Sequence, residues 1–171
     1  MFFFHPSSFR LLTLEMPSNL NAEKMIEPRD YPSRPICGVG IVVRHGAAVL
    51  LIQRGNPPRR GDWGLPGGVV ELGETLRAAA QREVREECGI EIALGDVIDA
   101  VDLLQRDDAG RLQYHYILVD FVAAYVSGDV RAASDVLDAR WVAPRDLDAY
   151  ALPAITREVI DKAMVKRSGK T

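Results

Sequence analysis

The rhythm of apolar and polar positions changes at residue 36. Upstream, Pro6, Pro17, Pro28, Pro32 and Pro35 punctuate a stretch with no sustained period, which predicts an extended or disordered leader over residues 1–34. From Ile36 to Val43 β-branched residues predominate and predict a strand. His45-Gly46 then predicts a tight turn, and Ala48 to Ile52 a second strand. Residues 55–62, with Pro57-Pro58 at their centre, read as a loop, and Leu65 to Leu72 as a short extended segment. The period next becomes helical. Leu76, Ala79, Ala80 and Val84 recur on one face, Thr75 is placed as the N-cap, and Gly89 stops the helix after Cys88. Ile90 to Leu104 and Leu112 to Val126 predict long strands joined by a hairpin turn at Asp107-Asp108-Ala109-Gly110. Ala139 to Val142 predicts a further strand, Pro144 the first position of a helix, and Leu152 to Val165 a closing helix. No internal repeat interrupts this order.

Composition narrows the class. A chain of 171 residues, 47% hydrophobic and 26% charged, suits one soluble domain with a real core. A formal net charge of −3 gives no polybasic footprint, which disfavours nucleic-acid polymers and leaves room for a small anionic ligand. No apolar run reaches the length of a membrane-spanning helix, so no membrane partner is expected. Met1-Phe2-Phe3-Phe4 lacks a basic leader and is not expected to be a signal peptide; Met16 and Met25 are alternative starts. Cys37 and Cys88 have no metal-ligand spacing and are expected as buried, reduced thiols, which fits a cytoplasmic protein.

The helix after Thr75 carries the chemistry. Glu83, Glu86 and Glu87 stand at i, i+3 and i+4 and share one face. Like charges at i,i+4 cost an isolated helix roughly 0.2–0.5 kcal/mol, and a divalent cation between them reverses that sign. Oxygen ligands in this number suit Mg²⁺ or Mn²⁺. The plainer alternative is a solvated acidic face followed by a glycine C-cap.

Gly68, Glu74, Arg82, Glu83, Val84, Glu86, Glu87, Gly89 and Ile90 decide between the two readings. They fill, without a departure, the pattern Gly, five residues, Glu, seven residues, Arg-Glu-apolar-any-Glu-Glu-any-Gly-apolar. This stretch resembles the Nudix box. The resemblance spans roughly residues 36–165 and implies an α/β (α+β) fold, the Nudix α/β/α sandwich with a mixed β-sheet between helices. The domain is placed at residues 35–167, with a tail at 168–171. The resemblance further implies hydrolysis of a nucleoside diphosphate linked to a group X, by water attack on phosphorus, with Mg²⁺ or Mn²⁺ as cofactor. Glu83, Glu86 and Glu87 are then the metal ligands, joined by the carbonyl of Gly68. Glu74 and Arg82 are implied to brace the loop against the helix and orient those glutamates. Their bland alternative is a surface ion pair worth at most roughly 1 kcal/mol.

Other assignments are weaker. Some relatives carry a lysine where this chain has Val69, so that auxiliary group is absent. Asp129, Asp135 and Asp138 are candidate bases, Asp135 preferred because it precedes a strand; Glu83 acting on a water at the cation is the alternative. Arg54, Arg59 and Arg60 flank the proline loop and are candidates for binding diphosphate. Trp63 is expected to anchor the glycine turn. Tyr114 and Tyr116 alternate onto one strand face, where core or dimer packing is the default and an adenine platform the sharper alternative. Downstream of the box, residues 102–107 hold neither the proline nor the tyrosine that mark two known substrate classes. The runs from Arg54 to Gly68 and from Tyr114 to Asp120 resemble bacterial ADP-ribose pyrophosphatases. The expected substrate is therefore ADP-ribose, cleaved to AMP and ribose 5-phosphate, with nucleoside triphosphate pyrophosphohydrolysis as the alternative. A non-catalytic ligand sensor is the alternative of another class. Relatives pair through strands or the N-terminal segment, so a homodimer is expected.

Overall fold

The computed structural model describes residues 29–57 and 59–165. Most of the expected leader, with Met16 and Met25, and the expected tail at 168–171 lie outside these residues. The chain order is β1 (Ile36–His45), β2 (Ala48–Arg54), β3 (Trp63–Gly64), α1 (Leu76–Cys88), β4 (Glu91–Arg106), β5 (Leu112–Ser127) and β6 (Val136–Val142). A 3₁₀-helix (Pro144–Tyr150) and α2 (Ala154–Val165) close it.

Three local expectations need correction. Leu65 to Leu72 is not a strand; beyond β3 only Val69 bridges, antiparallel, to Gly38. The reason is donor supply: Pro66 has no N–H, and the Gly67 N–H is given to Glu87 instead of a ladder. Next, β6 starts at Val136, because the β2 ladder continues to Arg54↔Val136 across a bulge at Gln53/Arg54. Last, the helix opened by Pro144 is 3₁₀, and its N-cap Ala143 has no side-chain oxygen to anchor a longer α-helix.

The sheet is mixed. β1 and β5 run parallel from Ile36↔Tyr116 to Arg44↔Ala124, while β4–β5, β1–β2, β2–β3 and β2–β6 are antiparallel. β1 and β2 pair only beside their turn, at Arg44↔Val49 and His45↔Ala48, and then part. The chain after the proline loop fills the gap. Trp63 and Gly64 pair with β2, and the next residues cross to β1 through Pro66 O, Gly68 O and the Val70 N–H. This crossing holds the glycine turn at the centre of the sheet.

Alternation sends the two faces of β1 into different cores. Val39, Ile41 and Val43 pack with Ala79, Ala80 and Val84 of α1, whereas Val42 packs with Val159, Ile160 and Ala163 of α2. Helices thus cover both faces, as the α/β/α expectation required. Each fully buried Val or Ile stabilises by roughly 1.5–3 kcal/mol, and truncating Phe121, 2% exposed on the α1 side, costs about 3–5 kcal/mol. Cys88 is buried and its thiol is pushed up to about 12 by burial and by Glu87. Cys37 is exposed, contrary to expectation, because its side chain falls outside both cores; neither cysteine is in a disulfide. Among the described residues no helix is long and apolar enough to cross a membrane.

Candidate active site

Two caps fix the phase of α1. Thr75 Oγ1 accepts the Ala78 N–H at 3.1 Å, and Gly89, left-handed at φ 70°, gives its N–H to Arg85 O. The helix therefore delivers Glu83, Glu86 and Glu87 on its last turns beside the glycine turn. The three do not share one environment. Glu86 is exposed, Glu83 has a side chain only 13% exposed, and Glu87 is buried at 5%.

Each carboxylate has its own restraint. Arg82 Nη1 donates to Glu83 Oε1 at 2.9 Å and to Glu86 Oε2 at 3.2 Å. Glu87 Oε2 accepts the Gly67 N–H at 2.9 Å. Burial raises Glu83 above the usual carboxylate range against the pull of Arg82, and Glu86 and Asp135 add to the rise. Glu87 is pushed up to about 8, first by burial and then by Glu83 and Asp135, with the Gly67 bond and Arg54 opposing. Acidic groups thus crowd a poorly solvated corner, and the donor set is all oxygen. That combination fits a hard divalent cation. Among the described residues no three acidic, His or Cys side chains meet at ligating range, although Arg82 Nη1 draws Glu83 and Glu86 onto one nitrogen.

The glycine turn meets this face closely. A Cβ on Gly68 would lie 2.3 Å from Glu83 Oε1, so any side chain there would have to push that carboxylate aside. Its carbonyl, expected to join the metal ligands, accepts the Val39 N–H at 2.8 Å and faces β1. What Gly68 gives the acidic face is room. Glu74 and Arg82 form the expected brace. Arg82 reaches Glu74 through two bonds, adds the Val69 carbonyl at 3.1 Å, and Glu74 also accepts the Glu71 N–H. With side chains 23% and 15% exposed, the pair is too buried to be an ordinary surface bridge.

Of the candidate bases, Asp135 alone stands close enough to raise both Glu83 and Glu87. Its carboxylate accepts from Asn56 Nδ2 at 3.0 Å, and Ser134 before it is left-handed at φ 57°. Asp138 is paired with Arg140, and Asp129 lies near Arg131 at 3.5 Å in an exposed loop.

A cavity of about 230 Å³ lies beside the glycine turn, with Gly67 and Gly68 in its wall. Arg54 and Arg59 line it, but Arg60 does not; it is exposed on the loop. Tyr114 and Tyr116 also line it, so their shared face serves the cavity and not the core. Trp63, expected to anchor the glycine turn, instead stands edge-on to Tyr150 at 4.9 Å and under Arg140 at 5.4 Å, and it lines the cavity. The sequence reading missed the cavity floor: Gly38, Gly40 and Asp120. Two signals pointed there, glycines alternating on one strand face and a lone carboxylate inside the apolar run from Ile117 to Val122.

A family model described as "NUDIX domain" matches residues 34–163. Over 139 residues the chain is 29% identical to ADP-ribose pyrophosphatase of Methanocaldococcus jannaschii, covering 78% of this chain and 80% of that protein. Over 128 residues it is 31% identical to nucleoside triphosphatase NudI of Escherichia coli, covering 70% of this chain and 89% of that one. Among solved structures, the MutT protein from Methanosarcina mazei Go1 has a TM-score of 0.65 at 28% identity, covering 80% of this chain and 98% of that chain.

Proposed function

We propose, since this chain belongs to the NUDIX family of hydrolases, that it cleaves the diphosphate bridge of ADP-ribose or a closely similar nucleoside diphosphate derivative with Mg²⁺ or Mn²⁺. One observation carries the reading. The Gly67-Gly68 turn both lines the cavity and touches Glu83 and Glu87. A nucleotide seated in the cavity then has its phosphates beside the acidic end of α1.

The divalent cation, held by Glu83, Glu86 and Glu87, would neutralise charge on the diphosphate and make a water more nucleophilic. The chain supplies the rest. Arg82 fixes Glu83 and Glu86 in angle, while Arg54 and Arg59 at the cavity wall suit phosphate oxygens. Glu83 or Asp135 accepts the proton of the attacking water; both adjoin the same corner. The M. jannaschii relative's name supports ADP-ribose, giving AMP and ribose 5-phosphate. The NudI name supports a second reading, nucleoside triphosphate to monophosphate and pyrophosphate.

A nucleotide panel with Mg²⁺ and Mn²⁺, read by product identity, separates these. AMP with ribose 5-phosphate supports the first reading and pyrophosphate release the second, while absence of turnover on every substrate points to a ligand sensor. We read the protein as cytoplasmic, a setting that suits its free thiols, and as a homodimer. Exposed apolar residues on the β4–β5 ribbon, Val97, Leu104 and Ile117, support pairing; a light-scattering mass of one chain would contradict it.

A further inference from the structure

Asp120 is a carboxylate without an evident employer. It is 6% exposed and lines the cavity, no hydrogen bond to its side chain appears among the described residues, and its oxygens are not sealed off from the cavity. Lys162 cannot serve it fully, being paired with Asp99, the residue opposite Asp120 in the β4–β5 ladder. The floor is shaped around it. Gly40 lies beside it in the β1–β5 register, and a Cβ there would come within 2.1 Å of Asp120 Oδ1. Gly38 makes the same allowance for Leu118.

A carboxylate so enclosed, with no donor from the chain and its oxygens open only to the cavity, is poorly solvated and can take a donor from outside. The cavity says which kind. Trp63, Leu65, Tyr116, Leu118 and Val159 give apolar and aromatic walls suited to a flat heteroaromatic ring, while Gly68 marks the phosphate end. Resting on the nucleotide reading above, we infer that Asp120 is a specificity-determining residue whose carboxylate accepts a hydrogen bond from an N–H on the edge of the substrate's base. Burial, with Asp99 adding to it, pushes the carboxyl up to about 6, which leaves it ionised and an acceptor at neutral pH.

The test is equilibrium binding of ADP, GDP and purine riboside 5′-diphosphate, whose base carries no N–H, to the wild type, Asp120→Asn, Asp120→Ala and Gly40→Ala. In the wild type the tighter of ADP and GDP should exceed the purine analogue by about tenfold or more, the range of a charge-assisted hydrogen bond. Asp120→Ala should shrink that gap to within about threefold. Gly40→Ala, by pushing the carboxyl aside, should do the same. Hydrolysis, where measured, should show the change in KM with kcat nearly unaltered. Melting temperatures of the Asp120 variants should hold or rise, since a strained charge has been removed.

A purine gap that survives Asp120→Ala overturns the inference while nucleotide binding itself leaves the broader reading standing. A lower melting temperature with an unchanged gap marks Asp120 as structural and also overturns it. If 2′-deoxy-ADP, and not the purine analogue, shows the Asp120-dependent loss, the donor is a ribose hydroxyl and the base assignment falls. Binding of none of these nucleotides removes both.

Discussion

Arg82 grips Glu74 in a two-pronged fork, Nε to Oε1 and Nη2 to Oε2 at 2.9 Å each, while its remaining nitrogen reaches Glu83 and Glu86. One guanidinium thus ties the end of the glycine loop, just before the helix N-cap, to two carboxylates on the helix. A lysine keeps the charge but has no planar fork. Arg82→Lys should lower kcat by about 10–100-fold, the usual loss when a group supporting metal ligands is removed. The fold should survive, as circular dichroism will check. Turnover within twofold of wild type would show that the fork matters only to stability.

The two glycines of the turn should fail in different ways. Gly67 is at φ 147°, and a Cβ there would lie 2.1 Å from the Val39 carbonyl oxygen, a backbone atom that cannot step aside. Gly67→Ala should destabilise by about 1–3 kcal/mol, seen in urea titration. Gly68→Ala meets a side chain, Glu83, and should displace that carboxylate, removing activity with a smaller loss of stability. Equal stability losses with activity kept in Gly68→Ala would contradict this division.

The arginines of the proline loop divide as well. Arg54 lines the cavity and is near enough to Glu87 to lower it, whereas Arg60 is exposed and outside the lining. Arg54→Ala should raise KM by about 10-fold or more, the worth of a hydrogen bond to a charged group, and Arg60→Ala should change it little. Steady-state kinetics on both variants settle the matter, and reversed effects would relocate the phosphate site.

Asp120 should leave a pH signature on stability. Its folded value of about 6 exceeds its ordinary 3.8, so the protonated form is favoured by folding. Stability from this group is full below about pH 4 and lost as pH rises through about 6, by up to roughly 3 kcal/mol. Asp99, held low by Lys162, and Lys162 itself keep their charges across that window. The wild type should therefore lose ground relative to Asp120→Asn between pH 4 and 7. A flat difference in denaturant titrations would contradict it.

Much of this molecule is written locally. Thr75, Gly89 and the stripe Ala79, Ala80 and Val84 determine α1 through neighbours in sequence, so helix and acidic face are readable from the chain. The brace between Glu74 and Arg82 is readable too, because both partners sit on the motif. What escaped depends on distant pairing. Val69 lies in an apolar run and looks like a strand, but the chain must cross from β2 to β1 there, and Pro66 and Gly67 spend no N–H on a ladder. Asp120 passes for an interruption in β5 until β1 sets Gly40 beside it. Tyr114 and Tyr116 share a face on any reading, and only the position of α2 turns that face into a cavity wall.

The most direct trial is a crystal soaked in Mn²⁺ with a non-hydrolysable ADP-ribose analogue, read by anomalous scattering. The account predicts manganese peaks at about 2.0–2.3 Å from oxygens of Glu83, Glu86 and Glu87, against the analogue's bridging phosphates and with an N–H on the edge of its base directed at Asp120. Manganese bound away from the end of α1, or a well-ordered analogue whose phosphates avoid those glutamates, would contradict it.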